Sequence, residues 1–327
     1  MGPSPPQGSR PPPGAGRTGL PLIVITGPTA SGKSELAVAL AEALGGEIVS
    51  ADSMQVYRHL DIGTAKPEAG LRARVPHHLL DVVDPDEPFH AGRYLEEADR
   101  AVRDIASRGR VAVVCGGTAL YIRVLLHGLA PAPPRDPGVR AALEARWDAG
   151  EGALLWAELR EADPALAARI HPRDRTRILR GLEVWRVTGR PLSAFHREHG
   201  FRELRYRALL LGIRVPREEL YRRIDERTVR MMQAGWVEEV RRVLSLGYSP
   251  SLPPLRAIGY REICEHLAGR TDLETAVRTI QQETRRFAKR QMTWFRRMGL
   301  EWLAPGEAAE AARRAKKFLQ VNALALR

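Results

Sequence analysis

One octapeptide constrains this chain more than any other stretch: Gly27-Pro28-Thr29-Ala30-Ser31-Gly32-Lys33-Ser34, which fits G-x-x-x-x-G-K-S. Its flanks suit the pattern. Leu22-Ile23-Val24-Ile25 is a short apolar run rich in β-branched residues, and 35–44 reads as a helix. A strand that feeds such a loop into a helix N-terminus aims backbone N–H groups and the positive end of the helix dipole at one anion. Lys33 would reach the outer phosphates and the Ser34 hydroxyl would ligate Mg²⁺. The loop implies that a di- or triphosphate is held there. It does not say what is done with it.

Strand C-terminal ends face the ligand crevice of an open α/β sheet, so the next strand ends matter most. Gly45-Gly46 closes the first helix and 47–50 reads as a strand. Asp52 follows it, on the edge that carries the phosphate loop, with Ser53, Met54 and Gln55 beside it. Asp52 would serve equally as a helix cap, and the residues leave both roles open. The segment 61–88 is rich in Gly, Pro and His and reads as a long loop. Adjacent His77 and His78 would point to opposite faces of a strand, which argues against one shared metal ion. A helix is expected near 91–107.

The strand 110–115 ends in Cys115-Gly116-Gly117-Thr118 and leads into a helix over 119–126. Phosphate loops that manage a γ-phosphate commonly have an acidic residue at such a strand end, where it helps hold Mg²⁺. Here two glycines would let a ligand approach the backbone. Thr118 would either cap the helix or offer a neutral donor and acceptor.

From 138 to about 200 the pattern is helical throughout, with candidates at 139–149, 152–161, 164–170 and 173–188. This reads as an all-helical insertion. Arg173, Arg177 and Arg180 share one face of its last helix, as a solvated face or as phosphate contacts. The segment 207–213 returns to strand, followed by helices over 217–234 and 237–246. Arg223 and Arg227 lie one turn apart on the first of these. A long helix over 273–298 would carry a basic stripe outward (Arg285, Lys289, Arg296 and Arg286, Arg290, Arg297). Phe287, Gln291, Trp294 and Met298 would face the core, with Phe287 and Trp294 as packing residues rather than base-stacking ones. The tail beyond Pro305 suggests one more helix.

The formal charge of +12 and a pI of about 10.3 favour a polyanion such as RNA or DNA, or an anionic membrane surface. An Arg-rich genome would give some of the same bias. The tail 1–19 is Pro-, Gly- and Ser-rich, lacks the apolar centre of a signal peptide and is expected to be disordered. Its Arg10 and Arg17 supply little of the charge. The two cysteines, Cys115 and Cys264, make no metal-ligand pattern and fit a reducing cytoplasm. No apolar run approaches the ~20 residues of a membrane span.

Taken in order, GPTASGKS, SADSMQVY with DIGTAKP, VPHHLLD, GGTALYIR, RILRGLEV, AIGYRE and AKRQMTWFRR resemble the tRNA dimethylallyltransferase family of bacteria and organelles, across residues 22–297. The resemblance implies an α/β fold similar to P-loop nucleotide kinases: a parallel sheet flanked by helices, with an all-helical insertion. The core would comprise 20–136 and 205–327, and the insertion 137–204. It also implies an activity, transfer of the dimethylallyl group from dimethylallyl diphosphate to N6 of the adenine beside the anticodon, at tRNA position thirty-seven. Partners would be the tRNA anticodon stem-loop and the prenyl diphosphate, with Mg²⁺, in a cytoplasmic monomer.

Carried over by motif, Gly27 to Ser34 hold the diphosphate, helped by Arg227 with Arg223 beside it. Asp52 is the general base, and Thr118 bonds near the reacting amine. Contacts to tRNA fall on Asp52, Ser53, Met54, Gln55 and Thr118; on Arg140, from DPGVR alone; and on Thr176, Arg177, Ile178, Leu179 and Arg180. Further contacts fall on Arg256, Ala257, Ile258, Gly259, Tyr260 and Arg261, and on Ala288, Lys289, Arg290, Gln291, Met292, Thr293, Trp294 and Phe295. A small-molecule or nucleotide kinase using ATP on the same loop is the main rival. A non-catalytic RNA-binding protein would explain the charge but not the loop.

Overall fold

A computed structural model describes residues 19–324. The chain divides into two compact units, one of 19–126 with 205–324 and one of 127–204.

In chain order, β1 (Pro21–Thr26) runs into the phosphate loop and α1 (Lys33–Leu44), then β2 (Glu47–Ser50). The expected loop over 61–88 contains a short helix, α2 (Ala69–Arg74), and a two-residue strand, β3 (His77–His78). Then come α3 (Ala91–Ser107), β4 (Ala112–Gly116) and α4 (Ala119–His127). The small unit holds α5 (Pro137–Asp148), α6 (Gly152–Ala162), α7 (Pro164–Ala167), α8 (Arg175–Thr188) and α9 (Leu192–His199). The large unit resumes with β5 (Arg207–Ile213), α10 (Arg217–Gln233), α11 (Trp236–Ser245), a 3₁₀ turn (Pro253–Arg256) and α12 (Tyr260–Leu267). It ends with α13 (Leu273–Phe295), β6 (Glu301–Leu303) and α14 (Ala308–Leu324).

The six strands form one parallel sheet in the order β3-β2-β4-β1-β5-β6. A parallel sheet is covered on both faces, so its central strands are apolar at every position. β1 shows the alternation within that rule. Ile23 and Ile25 pack with Val38, Leu40 and Leu211 on one face, and Leu22 and Val24 with Tyr94, Ile105 and Ile122 on the other. The first face is closed by Ala311 and Ala315 of α14.

The small unit packs Leu143, Leu155, Leu159, Ile178, Leu179 and Phe195 into a core of its own. Two buried carboxylates tie its ends. Asp163 accepts from the amides of Leu166 and Ser193, and Glu183 from the amide of Asp136 and the Arg180 guanidinium.

One expectation for α13 is overturned. Its buried face is Ala276, Ile280, Ala288, Gln291 and Phe295, while Phe287 and Trp294 are 38% and 42% exposed. The reason is packing distance. Small Ala288 belongs to the β-sheet core cluster, and a helix that sits close enough to bury it turns its larger neighbour, Phe287, outward.

Candidate active site

The cradle begins where β1 stops. Gly32 sits before α1, and the helix starts at Lys33, so the first-turn N–H groups open toward the loop. Lys33 Nζ donates to Pro28 O at 3.4 Å. Arg227 of α10 donates from Nη1 to Thr29 Oγ1 at 3.1 Å. Burial holds the Lys33 ammonium below its ordinary pKa, with the Arg227 charge adding to the effect. Burial lowers the Arg227 guanidinium as well. Two crowded cations around a loop of amides form a site short of negative charge. Arg223 lines the same cleft, but its Nε is held by Glu219 at 2.7 Å.

Opposite the loop, Asp52 follows β2. Its Oδ1 accepts from the amides of Met54 at 2.9 Å and Gln55 at 3.4 Å, the capping geometry its position allows. Among the described residues Oδ2 has no partner. One oxygen thus orients the carboxylate and the other remains to accept a proton. Gln55 completes the turn, accepting from Ser50 Oγ and donating to Thr64 O and Ala65 O.

Thr118 joins the Asp52 turn to the end of β4. Its Oγ1 accepts from the Ser53 amide at 3.0 Å and donates to Ser53 Oγ at 3.3 Å, and its own amide donates to Ala51 O. The double glycine before it permits this approach. A Cβ at Gly116 would stand 2.2 Å from Ala51 O, and one at Gly117 2.5 Å from Gln291 Nε2. Cys115 beneath is buried, and burial pushes its thiol up to about 12.

Phosphate loop, Asp52 turn and Gly-Gly-Thr turn line one cleft of about 970 Å³. Ser53, Met54, Gln55, Ala257, Ile258 and Gln291 share that lining, with Met231, Trp236, Ile280 and Phe287 adding apolar surface. A cleft with cations at a phosphate loop and apolar walls elsewhere suits an anion bearing a hydrocarbon group. As to a metal, the Ser34 hydroxyl lines the cleft and has no hydrogen-bond partner among the described residues. One hydroxyl and the ligand's own phosphate oxygens fit Mg²⁺, which keeps most of its shell as water and phosphate.

The remaining expected contacts sort by exposure. On α13, Lys289, Arg290, Thr293 and Trp294 are exposed, Met292 is half-buried, and Ala288, Gln291 and Phe295 are buried. Arg285 pairs with Asp225 and Arg286 with Glu283. Lys289, Arg290, Arg296 and Arg297 have no acidic partner among the described residues. Arg256 is exposed, Arg261 pairs with Glu262, and Gly259 and Tyr260 are buried. Within the small unit Thr176 is exposed, Arg177 pairs with Asp174, and Ile178 and Leu179 are core. Arg140 is held by Glu144 through Nε at 2.7 Å, while its Nη1 is buried without a partner.

The family model for IPP transferase matches residues 55–298, and that for isopentenyl transferase residues 20–74. The tRNA dimethylallyltransferase of Geobacter sulfurreducens is 55% identical over 283 residues, 86% of this chain and 91% of that one. This chain belongs to the IPP transferase family. The tRNA dimethylallyltransferase of Anaeromyxobacter dehalogenans is 52% identical over 90% of this chain and 99% of its own.

Among solved structures, the tRNA isopentenylpyrophosphate transferase of Bacillus halodurans superposes with a TM-score of 0.69 at 34% identity, covering 92% of this chain and 97% of that one. A eukaryotic dimethylallyltransferase acting on tRNA gives 0.78 at 28% identity, over 90% and 77%. The expected fold, a parallel sheet of the P-loop type flanked by helices, is the fold of this family member. Among the described residues no helix is long and apolar enough to cross a membrane.

Gln291, expected both on the inward stripe of α13 and among the tRNA contacts, points inward and bonds the phosphate loop and Gly117. One contributor to the site escaped the sequence. Glu239, 1% exposed, anchors the 61–63 backbone. The one available signal for Glu239 was an acidic residue inside the apolar stripe Trp236, Val237, Val240 and Val243.

Proposed function

We propose that the chain transfers a dimethylallyl group from dimethylallyl diphosphate to N6 of the adenine beside the anticodon of tRNA, releasing diphosphate. The observation that carries the reading is the convergence of a cationic phosphate loop, a strand end of Gly-Gly-Thr, and a capped Asp52 on one cleft with apolar walls. The names of the relatives support it.

In the reaction the bond from prenyl C1 to the diphosphate oxygen breaks as C1–N6 forms, so negative charge grows on the departing oxygen. Lys33, Arg227 and the α1 amides meet that charge in a partly desolvated site. The N6 lone pair is delocalised into the purine. Asp52 Oδ2 accepts one N6 proton as the new bond forms, which keeps the nitrogen from carrying a full positive charge. Thr118 keeps the Asp52 turn against the double glycine. The adenine has to leave the anticodon stack to reach this depth, and the unpaired cations of α13 supply phosphate contacts for the tRNA. Ser34 would hold Mg²⁺, whose charge would add to the stabilisation of the leaving diphosphate. In this reading the protein acts as a cytoplasmic monomer.

The test is direct. Full-length protein, Mg²⁺, labelled dimethylallyl diphosphate and unmodified tRNA should give labelled tRNA. Phosphoryl transfer from labelled ATP in a parallel reaction, with no label entering tRNA, would overturn the reading in favour of a kinase.

A further inference from the structure

The third residue of the phosphate loop has already committed its backbone donor. Thr29 N–H donates to Gln291 Oε1 at 2.9 Å. The other end of the same carboxamide donates from Nε2 to Gly117 O at 2.9 Å. Gln291 is 6% exposed and arrives from α13, so the bridge joins segments that are distant in sequence. Its fit is tight, because a Cβ on Gly117 would come within 2.5 Å of Nε2. With both ends of the amide bonded, Oε1 is fixed in place.

Phosphate loops select an anion by how many N–H donors they leave open and how these are spaced. A triphosphate needs a longer run of donors than a diphosphate. Here the run is shortened at the start of the loop. Gln291 removes the Thr29 N–H from it and sets a carboxamide oxygen, itself an acceptor, against that end of the loop. The Thr29 hydroxyl on the same residue is engaged by Arg227 at 3.1 Å. Ser31 N–H is turned to Pro28 O at 3.3 Å, so the donors left are Ala30 N–H and those of the α1 end, with Lys33.

We propose that Gln291 is a specificity-determining residue that limits this cradle to a diphosphate and turns away the triphosphate of a nucleotide. The inference rests on reading the cleft as a prenyl diphosphate site, and it deepens that reading by assigning the anion's length to one side chain. It would let a loop of this pattern discriminate without an acidic strand end, since β4 stops at Cys115-Gly116.

The experiment titrates the full chain, with Mg²⁺, against inorganic diphosphate and inorganic triphosphate, for the wild type, Gln291→Ala and Gln291→Met. Melting temperatures identify the folded variants. Gln291→Met keeps the volume and loses both hydrogen bonds, so it serves if the alanine variant does not fold. The wild type should bind diphosphate at least about tenfold more tightly than triphosphate, and the ratio should fall by about tenfold in the variants, the scale of one hydrogen bond to a charged acceptor. A wild type that binds the two anions equally, or a ratio unchanged in the folded variants, overturns the proposal. Prenyl transfer by the wild type is measured alongside. Its absence would sink the functional reading, whereas a failed anion ratio with intact transfer would sink this proposal alone.

Discussion

Glu239 accepts the hydroxyl of Tyr260 at 2.8 Å with one carboxylate oxygen, and with the other takes the amides of Asp61 at 2.8 Å and Ile62 at 2.7 Å. The carboxylate is buried, and its whole solvation is protein. Through it α11 and α12 hold the loop whose next residues, Thr64 and Ala65, accept from Gln55 in the Asp52 turn. Glu239→Ala leaves several buried donors without an acceptor, each worth about 1–3 kcal/mol. A stability loss of about 3 kcal/mol is expected in urea unfolding, and Glu239→Gln should lose less. A loss within 0.5 kcal/mol, the usual scale of a surface change, would contradict the anchoring role.

Asp52→Asn keeps an oxygen to cap Met54 and Gln55 but cannot accept the N6 proton. Turnover should fall by about 10²–10⁴-fold, with tRNA affinity changed by less than about threefold. Single-turnover kinetics with a filter-binding measurement of Kd separates the two. A matched loss of turnover and affinity would reduce Asp52 to a structural cap.

The ammonium of Lys33 gives stability a definite pH slope. Its folded pKa lies below the ordinary 10.5 because of burial, so in that window the unfolded chain binds more protons than the folded one. Stability of the ligand-free protein therefore rises as pH climbs from the folded value toward 10.5. Diphosphate should flatten this rise by favouring the charged ammonium, and Lys33→Met should remove it. Melting curves across pH 7 to 10, with and without diphosphate, read the difference between wild type and variant. An identical slope in the two would remove Lys33 from the buried site.

Much of this site was legible because its parts obey local rules. The phosphate loop, β1, β2, β4 and β5 combine continuous apolar runs with glycine or turn residues at their ends. β6 was not legible, since three residues with one glutamate make no pattern. The face of α13 was misjudged because Phe287 and Trp294 outweigh Ala288 in any hydrophobic count, although close helix packing favours the smaller side chain. The period of α13 put Gln291 on the inward face, where it lies, but not what it bonds there, because its partners are 262 and 174 residues away.

Ion pairing divides the basic stripe of α13 into two classes. Lys289 and Arg290 have no acidic partner among the described residues, and Arg290 stands over the ring of exposed Phe287 at 5.9 Å. Arg285 spends its charge on Asp225. A paired arginine releases fewer counterions from RNA than a free one. Lys289→Glu with Arg290→Glu should therefore weaken tRNA binding and lower the slope of log Kd against log salt by about 1–2, the value for two phosphate contacts. Arg285→Ala, which also frees an acidic group, should leave the slope within about 0.3 if its charge was never offered to the phosphates. Equal slope changes from the two sites would mean that the Asp225 pair opens when tRNA binds, and the whole stripe would then have to be counted as the interface.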